Sequence, residues 1–148
     1  MKKDIRPSKK DWVRLGEDLC EKIRKKTKSG EGVDGKFESY TAKYKARKTA
    51  GKFARQSSNS GTPDLQLTGD MLRDLQVRSA TNESVKIGWS GPNAQKVKWN
   101  EDTGRAITKK EKPLSSELQK DATRQVKLMF GRSIKKAYGK TKTIKVQM

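Results

Sequence analysis

The chain contains no histidine and a single cysteine, Cys20, among its 148 residues. Disulfide scaffolds, zinc sites of His and Cys, and Cys/His or Ser/His/Asp catalysis are excluded, because each needs residues that are missing. An enzyme here would have to work with carboxylates and lysines alone. Core formers are scarce too: Leu, Ile, Val and Phe together number 25, about 17% of the chain. No run approaches the roughly 20 apolar residues that a membrane helix needs. The opening MKKDIRPSKK has no apolar stretch of the kind a secretion signal requires. The expectation is a soluble protein made in a cytoplasm, with no membrane partner and one domain over 1–148 (core about 9–138, then a basic arm over 139–148).

Acidic residues are also in short supply, 17 against 36 Lys and Arg, so the formal net charge is +19. The excess sits in the flanks. Residues 1–55 hold 18 basic and 8 acidic residues, residues 64–104 hold 5 and 6, and residues 132–148 hold 6 and none. Self-repulsion of this size favours a chain that meets something acidic, either phosphate or a carboxylate-rich protein face. Few core formers and much charge together predict loops that order against partners or against other copies of the chain.

Ser8 stands three residues before Asp11, a capping-box spacing, and Trp12, Leu15, Leu19 and Ile23 recur at steps of three and four. An amphipathic helix over 9–27 is predicted, with Cys20 beside Leu19 in the core and Gly30, Gly32 and Gly35 ending it in a flexible turn. Phe37, Tyr40 and Tyr44 predict a second helix over 37–48 whose aromatics pack on the core. The alternative, base stacking, needs exposed rings. Residues 49–63, TAGKFARQSSNSGTP, read as a long mobile loop with one anchor, Phe53.

DLQLTGDMLRDL at 64–75 reads as an extended piece turning into a capped helical turn. Val77 and Ser79 against Val85, Ile87 and Trp89 predict two antiparallel strands joined near 80–83. Pro92 and Asn93 open a short helix with Ala94, Val97 and Trp99 inward and Gly104 as its stop. RAITKKEKPL at 105–114 reads as a basic loop. Ser115 or Ser116 caps a last helix whose face runs through Leu118, Ala122, Val126, Met129, Phe130, Ile134 and Ala137, with Gly131 a place to bend or to meet another backbone. The tail GKTKTIKVQM alternates in a way that suits a strand added to a sheet edge, or else stays disordered. The fold class that results is α+β: a small antiparallel sheet packed with an N-terminal and a C-terminal amphipathic helix, a long mobile loop and a basic C-terminal arm.

Two motifs fail on their surroundings. GEGVDGK at 30–36 matches the start of a phosphate-binding loop, yet KIRKKTKS precedes it instead of an apolar strand, Phe37 replaces the Ser or Thr that would hold magnesium, and Glu31 and Asp34 repel phosphate. A nuclease reading of Asp64 with Glu83 and Lys86 fails because acid and lysine three apart on a strand face opposite sides. Asp70 and Asp74, one helical turn apart, suit a helix dipole as well as a metal. No metal, cofactor or catalytic residue is expected.

The order DGKFESYTAKYKARK, DLQLTGDML, a hairpin ending VKIGW and then NAQKVKWNEDTGR resembles the virion morphogenesis proteins of tailed bacteriophages, the tail-completion and head-tail joining (neck) family. Gly35, Phe37, Tyr40, Tyr44 and Lys48 take the first part, Leu67, Thr68, Gly69 and Leu72 the second, and Gly88, Ala94, Asn100, Gly104 and Arg105 the third. Asn93 departs from the family's aromatic before Ala94, and Glu111-Lys112-Pro113-Leu114 from its approach to the last helix. The resemblance implies a structural protomer without catalysis, forming a ring of six or twelve copies at the head-tail junction of a virion assembled in the host cytoplasm. Its implied partners are itself, the portal or adaptor connector on the capsid side, tail tube or tail terminator proteins, and genomic DNA in the channel. Candidate interface residues are Lys52, Phe53, Arg55, Asn100, Arg105, Ile144 and Val146. Lys135, Lys136, Lys140, Lys142 and Lys145 are the candidates to face DNA, the remaining cations being assigned to protein partners because strong DNA contacts would hinder passage. The alternative reading is a stand-alone basic nucleic-acid-binding protein.

Overall fold

The computed structural model describes residues 3–51, 63, 65 and 69–139. Its first helix, α1 (Lys9–Lys28), begins where two side chains satisfy backbone donors that a helix leaves open. Ser8 Oγ accepts from the Asp11 N–H at 3.2 Å, and Asp11 Oδ2 accepts from the Ser8 N–H at 3.0 Å, the reciprocal pair expected from the spacing. Trp12, Leu15, Gly16, Leu19, Cys20, Ile23 and Thr27 form the buried stripe. Cys20 is only 2% exposed, and burial pushes its thiol up, as befits a core residue.

The glycines that follow make an anchored hairpin where a flexible turn was expected. β1 (Glu31–Gly32) pairs antiparallel with β2 (Gly35–Lys36), and the Val33 N–H between them donates to the Ala106 carbonyl at 3.2 Å. A Cβ on Gly32 would lie 1.9 Å from that same oxygen, so the close approach admits only glycine. Lys109 Nζ pairs with Asp34 at 2.5 Å, and its hydrogen bond holds the Asp34 carboxyl below the ordinary carboxylate range. The stretch that resembles a phosphate loop is therefore two short strands, and the next helix starts only at Ala42.

That helix, α2 (Ala42–Thr49), is shorter than the 37–48 predicted, because Thr41 Oγ1 caps it by accepting from the Tyr44 N–H at 3.3 Å. Phe37 reaches the core from the segment before it. After the one-turn helix α3 (Asp70–Arg73), β3 (Gln76–Ala80) pairs antiparallel with β4 (Val85–Gly88). A bulge between Val77 and Ser79 breaks the alternation: Ser79, expected on the face of Val77, is exposed, and half-buried Ala80 takes its place. α1 covers this sheet so closely that a Cβ on Gly16 would lie 2.7 Å from a Val77 methyl and 2.8 Å from a Val85 methyl.

α4 (Gly91–Asp102) buries Val97 alone. Ala94 and Trp99, expected inward, are exposed, Trp99 at 59%. The error for Trp99 is geometric, since two residues along a helix turn about 200° and Val97 and Trp99 cannot share a face. The segment at 105–114 is basic, as expected, yet it drives Ala106 and Ile107 into the core. α5 (Ser116–Tyr138) starts at Ser115, whose Oγ accepts from the Leu118 N–H at 3.4 Å. It runs antiparallel to α1: Lys26 meets Glu117, Lys22 meets Asp121 and Asp18 meets Gln125. Beyond Phe130 the expected inward face changes character, for Ile134 is exposed, and a Cβ on Gly131 would meet nothing within 4 Å.

The architecture is α+β, with five helices and two antiparallel two-stranded sheets among the described residues. Two buried clusters share α1. One joins Cys20 and Ile23 to Phe37, Leu72, Leu75, Val97, Ile107 and Leu118, and the other joins Trp12, Leu15 and Leu19 to Met129 under the β3–β4 sheet. No described helix is long and apolar enough to cross a membrane.

Candidate functional site

A cleft of about 550 Å³ lies between α2 and α4. Its shape follows from local choices in the sequence. Tyr40 precedes the Thr41 cap and Tyr44 lies in the first turn of α2, so the two rings meet with centroids 4.7 Å apart at 60°. Gly69, at φ 79°, turns the chain into α3 and sets Met71 against α4. From α4 come Lys96, Trp99, Asn100 and Thr103, at steps of three, one and three, which is one helical face. Leu65 completes the apolar lining.

Arg105 locks the wall. Its Nε donates to the Glu38 carbonyl and its Nη2 to the Ser39 carbonyl, both at 2.8 Å, while the guanidinium sits 5.0 Å from the Tyr40 ring centroid. Lys48, 1% exposed, lies on the same ring at 5.1 Å, with Nζ 3.4 Å from the Tyr40 hydroxyl. That hydroxyl in turn accepts from the Leu65 N–H at 3.3 Å. One tyrosine thus gathers two cations and a loop backbone.

Of the candidate interface residues, the structure brings Asn100 and Arg105 together: the Arg105 N–H donates to the Asn100 carbonyl at 2.8 Å, and both line the cleft. Lys52, Phe53, Arg55, Ile144 and Val146 lie outside the described residues. So do three of the DNA candidates, Lys140, Lys142 and Lys145, and so does Asp64. Lys135 and Lys136 are exposed in the last turn of α5, and Lys136 lines a second, larger groove of about 1260 Å³. That groove runs between the N-terminal segment, α1 and α5, with Arg14 and Arg132 along it. Its acids are engaged locally, Asp4 by Arg6, Asp11 by Ser8 and Asp18 by Lys22.

Trp99 was missed as a surface residue, although the helical period that links it to Lys96 and Thr103 also turns it away from Val97. The pair Asp70 and Asp74 is spent on structure. Asp70 pairs with Arg73, and Asp74 accepts from the Ser90 N–H at 2.8 Å and from Arg78 at 2.9 Å. Those bonds, the Ser90 N–H first, lower the Asp74 pKa to about 2. Among the described residues no three His, Cys, Asp or Glu side chains group as metal ligands would. What the arrangement offers chemically is an apolar recess edged by cations. Comparison with family models, with curated proteins and with solved structures finds no match to this chain.

Proposed function

We propose that the chain is a structural protein of a tailed-bacteriophage virion, a subunit that closes into a ring at the head-tail junction and works by assembly, without catalysis or cofactor. The observation that carries this reading is that the segments of the family resemblance converge on one surface recess. Tyr40 and Tyr44 from the first, Gly69 from the second, and Asn100 and Arg105 from the third all line the cleft. Large apolar side chains left on the outside of α5 add support: Leu128, Ile134 and Tyr138, the last 64% exposed. A subunit gains from covering such surface with neighbours. Sedimentation and electron microscopy of the purified protein should give closed rings of six or twelve copies, and mass spectrometry should find the chain in purified particles. A strict monomer absent from particles overturns the reading.

The second reading, a stand-alone nucleic-acid-binding protein, is favoured by one feature. From residue 124 to its end α5 carries Arg124, Lys127, Arg132, Lys135 and Lys136 and no acid. It requires tight duplex binding with a steep salt slope, and weak, salt-insensitive binding removes it.

A further inference from the structure

We infer that the cleft between α2 and α4 is a docking site for an acidic segment of a different protein, with an apolar side chain of that segment seated against Trp99, Tyr44, Met71 and Leu65. The inference rests on the assembly role for its biological setting, and it assigns this face to a partner other than a second copy.

Three observations select the occupant. First, the lining is mainly apolar, and Trp99 at its edge is 59% exposed, so an inserted side chain would cover surface that is costly to leave in water. Second, among the described residues the charged ones lining the cleft, Lys96 and Arg105, are both cations, and the neighbouring helix α2 carries Lys43, Lys45 and Arg47 with no acid. The acids of α4 turn elsewhere: Asp102 pairs with Lys98 at 3.2 Å, and Glu101 borders a recess on the opposite side of the helix. Third, the same basic rim on a second copy would meet this one with like charge, which disfavours these two faces docking on each other.

Carboxylates spaced along an extended segment meet these needs better than a nucleic-acid backbone does. The Arg105 donors Nε and Nη2 are already committed to the carbonyls of Glu38 and Ser39, which leaves the lysines as the contacts for charge. Lys43, Lys45 and Lys96 have no ion-pair partner among the described residues. The apolar lining suits an inserted side chain better than it suits phosphates. An apolar anchor within a ring of charge contacts is the usual anatomy of such an interface.

The test uses the full chain and fluorescein-labelled twelve-residue peptides of Glu and Ser with one central Phe, Leu or Trp, read by anisotropy at protein concentrations where sedimentation shows a monomer. At least one peptide should bind, replacing its central residue by Ser should weaken binding about tenfold, and Trp99→Ala should do the same. Lys96→Glu should weaken it several-fold, whereas Arg132→Glu, in the other groove, should change little. Failure of all three peptides to bind below about 1 mM overturns the inference. So does binding that ignores both the central residue and Trp99, since that is charge attraction alone. A 20-base-pair duplex that binds more tightly than any peptide and loses affinity in Trp99→Ala assigns the cleft to nucleic acid instead. Because the readout is on monomers, its failure leaves the ring reading standing, and failure to form rings leaves the cleft result standing.

Discussion

α1 and α4 are both surface-crossing helices, yet α1 buries seven residues and α4 buries one. The difference lies in what each was given to cover. α1 stands between the two apolar clusters and touches the β3–β4 sheet, β1 and α5, so its stripe has walls on several sides. α4 leans on α3 through Val97 and turns Lys96, Trp99, Asn100 and Thr103 to the cleft. One helix holds the fold together, and the other presents a surface. Stability and association should therefore respond to different substitutions.

The hardest way to break that division is at α1. Leu19→Ala removes a side chain that is buried in the cluster with Trp12, Leu15 and Met129, and it should cost about 3 kcal/mol in urea unfolding. Gly16→Val forces new methyls into the Val77 and Val85 side chains and should cost about 2 kcal/mol, with the loss showing as a lower midpoint at an unchanged slope. If either variant melts like the parent, α1 is not the shared spine of the two clusters.

Ser8→Ala is a gentler probe of the same helix. It deletes the hydroxyl that accepts from the Asp11 N–H and donates to the Asp11 carboxylate, while the bond from the backbone N–H of residue 8 to that carboxylate stays, an expected cost of about 1 kcal/mol by the same measurement. Restoration by Ser8→Thr, and not by Ser8→Val, would tie the loss to the hydroxyl.

Legibility in the sequence tracks the same contrast. α1, the β3–β4 hairpin and the Ser115 cap were readable because each combines a local signal, cap or turn, with apolar periodicity that has a wall to meet. The bulge at Val77/Ser79 was not, since an extra residue in one strand leaves no mark in a pattern of five. The glycine hairpin was misread for a different reason. What anchors the hairpin is the Ala106 carbonyl, which accepts from the Val33 N–H and passes close to Gly32 from more than 70 positions away, and no local composition announces such a partner. For the cleft, the resemblance points to Asn100 and Arg105, whereas Trp99, expected inward with Val97, is turned away from it by the helical period.

The acid limb gives a finer comparison, between carboxylates that hold α4 and those that join α1 to α5. Asp74 bonds to the Ser90 N–H at the start of α4, and its pKa falls to about 2. Asp121 is held below the ordinary range by Lys22 first, then Arg124 and Gln125. A carboxylate depressed on folding stabilises above its unfolded pKa, near 4, and the contribution fades as pH falls toward the folded value. Both pairings should therefore be intact at pH 6 and weaken between about pH 4 and pH 2. Asp74→Asn should flatten part of that decline, measured as the melting temperature against pH. An unchanged acid limb in Asp74→Asn would mean that ionisation of Asp74 does not contribute to it.

The smallest expected stability effect sharpens the contrast most. Trp99→Ala takes the largest side chain off α4, and a reading by residue size alone would rank it beside Leu19→Ala. Its exposure of 59% says otherwise: most of the ring is already in water when the chain is folded, so the unfolding midpoint should move by less than about 0.5 kcal/mol. Association is where the loss should appear, as the tenfold weaker peptide binding described above. A Trp99→Ala variant that unfolds as easily as Leu19→Ala would place the indole in the core of the folded protein, and the cleft would then be packing surface instead of a docking site. A variant that stays folded but no longer binds would separate the two roles along a single helix, with Val97 holding α4 down and Trp99 holding the partner.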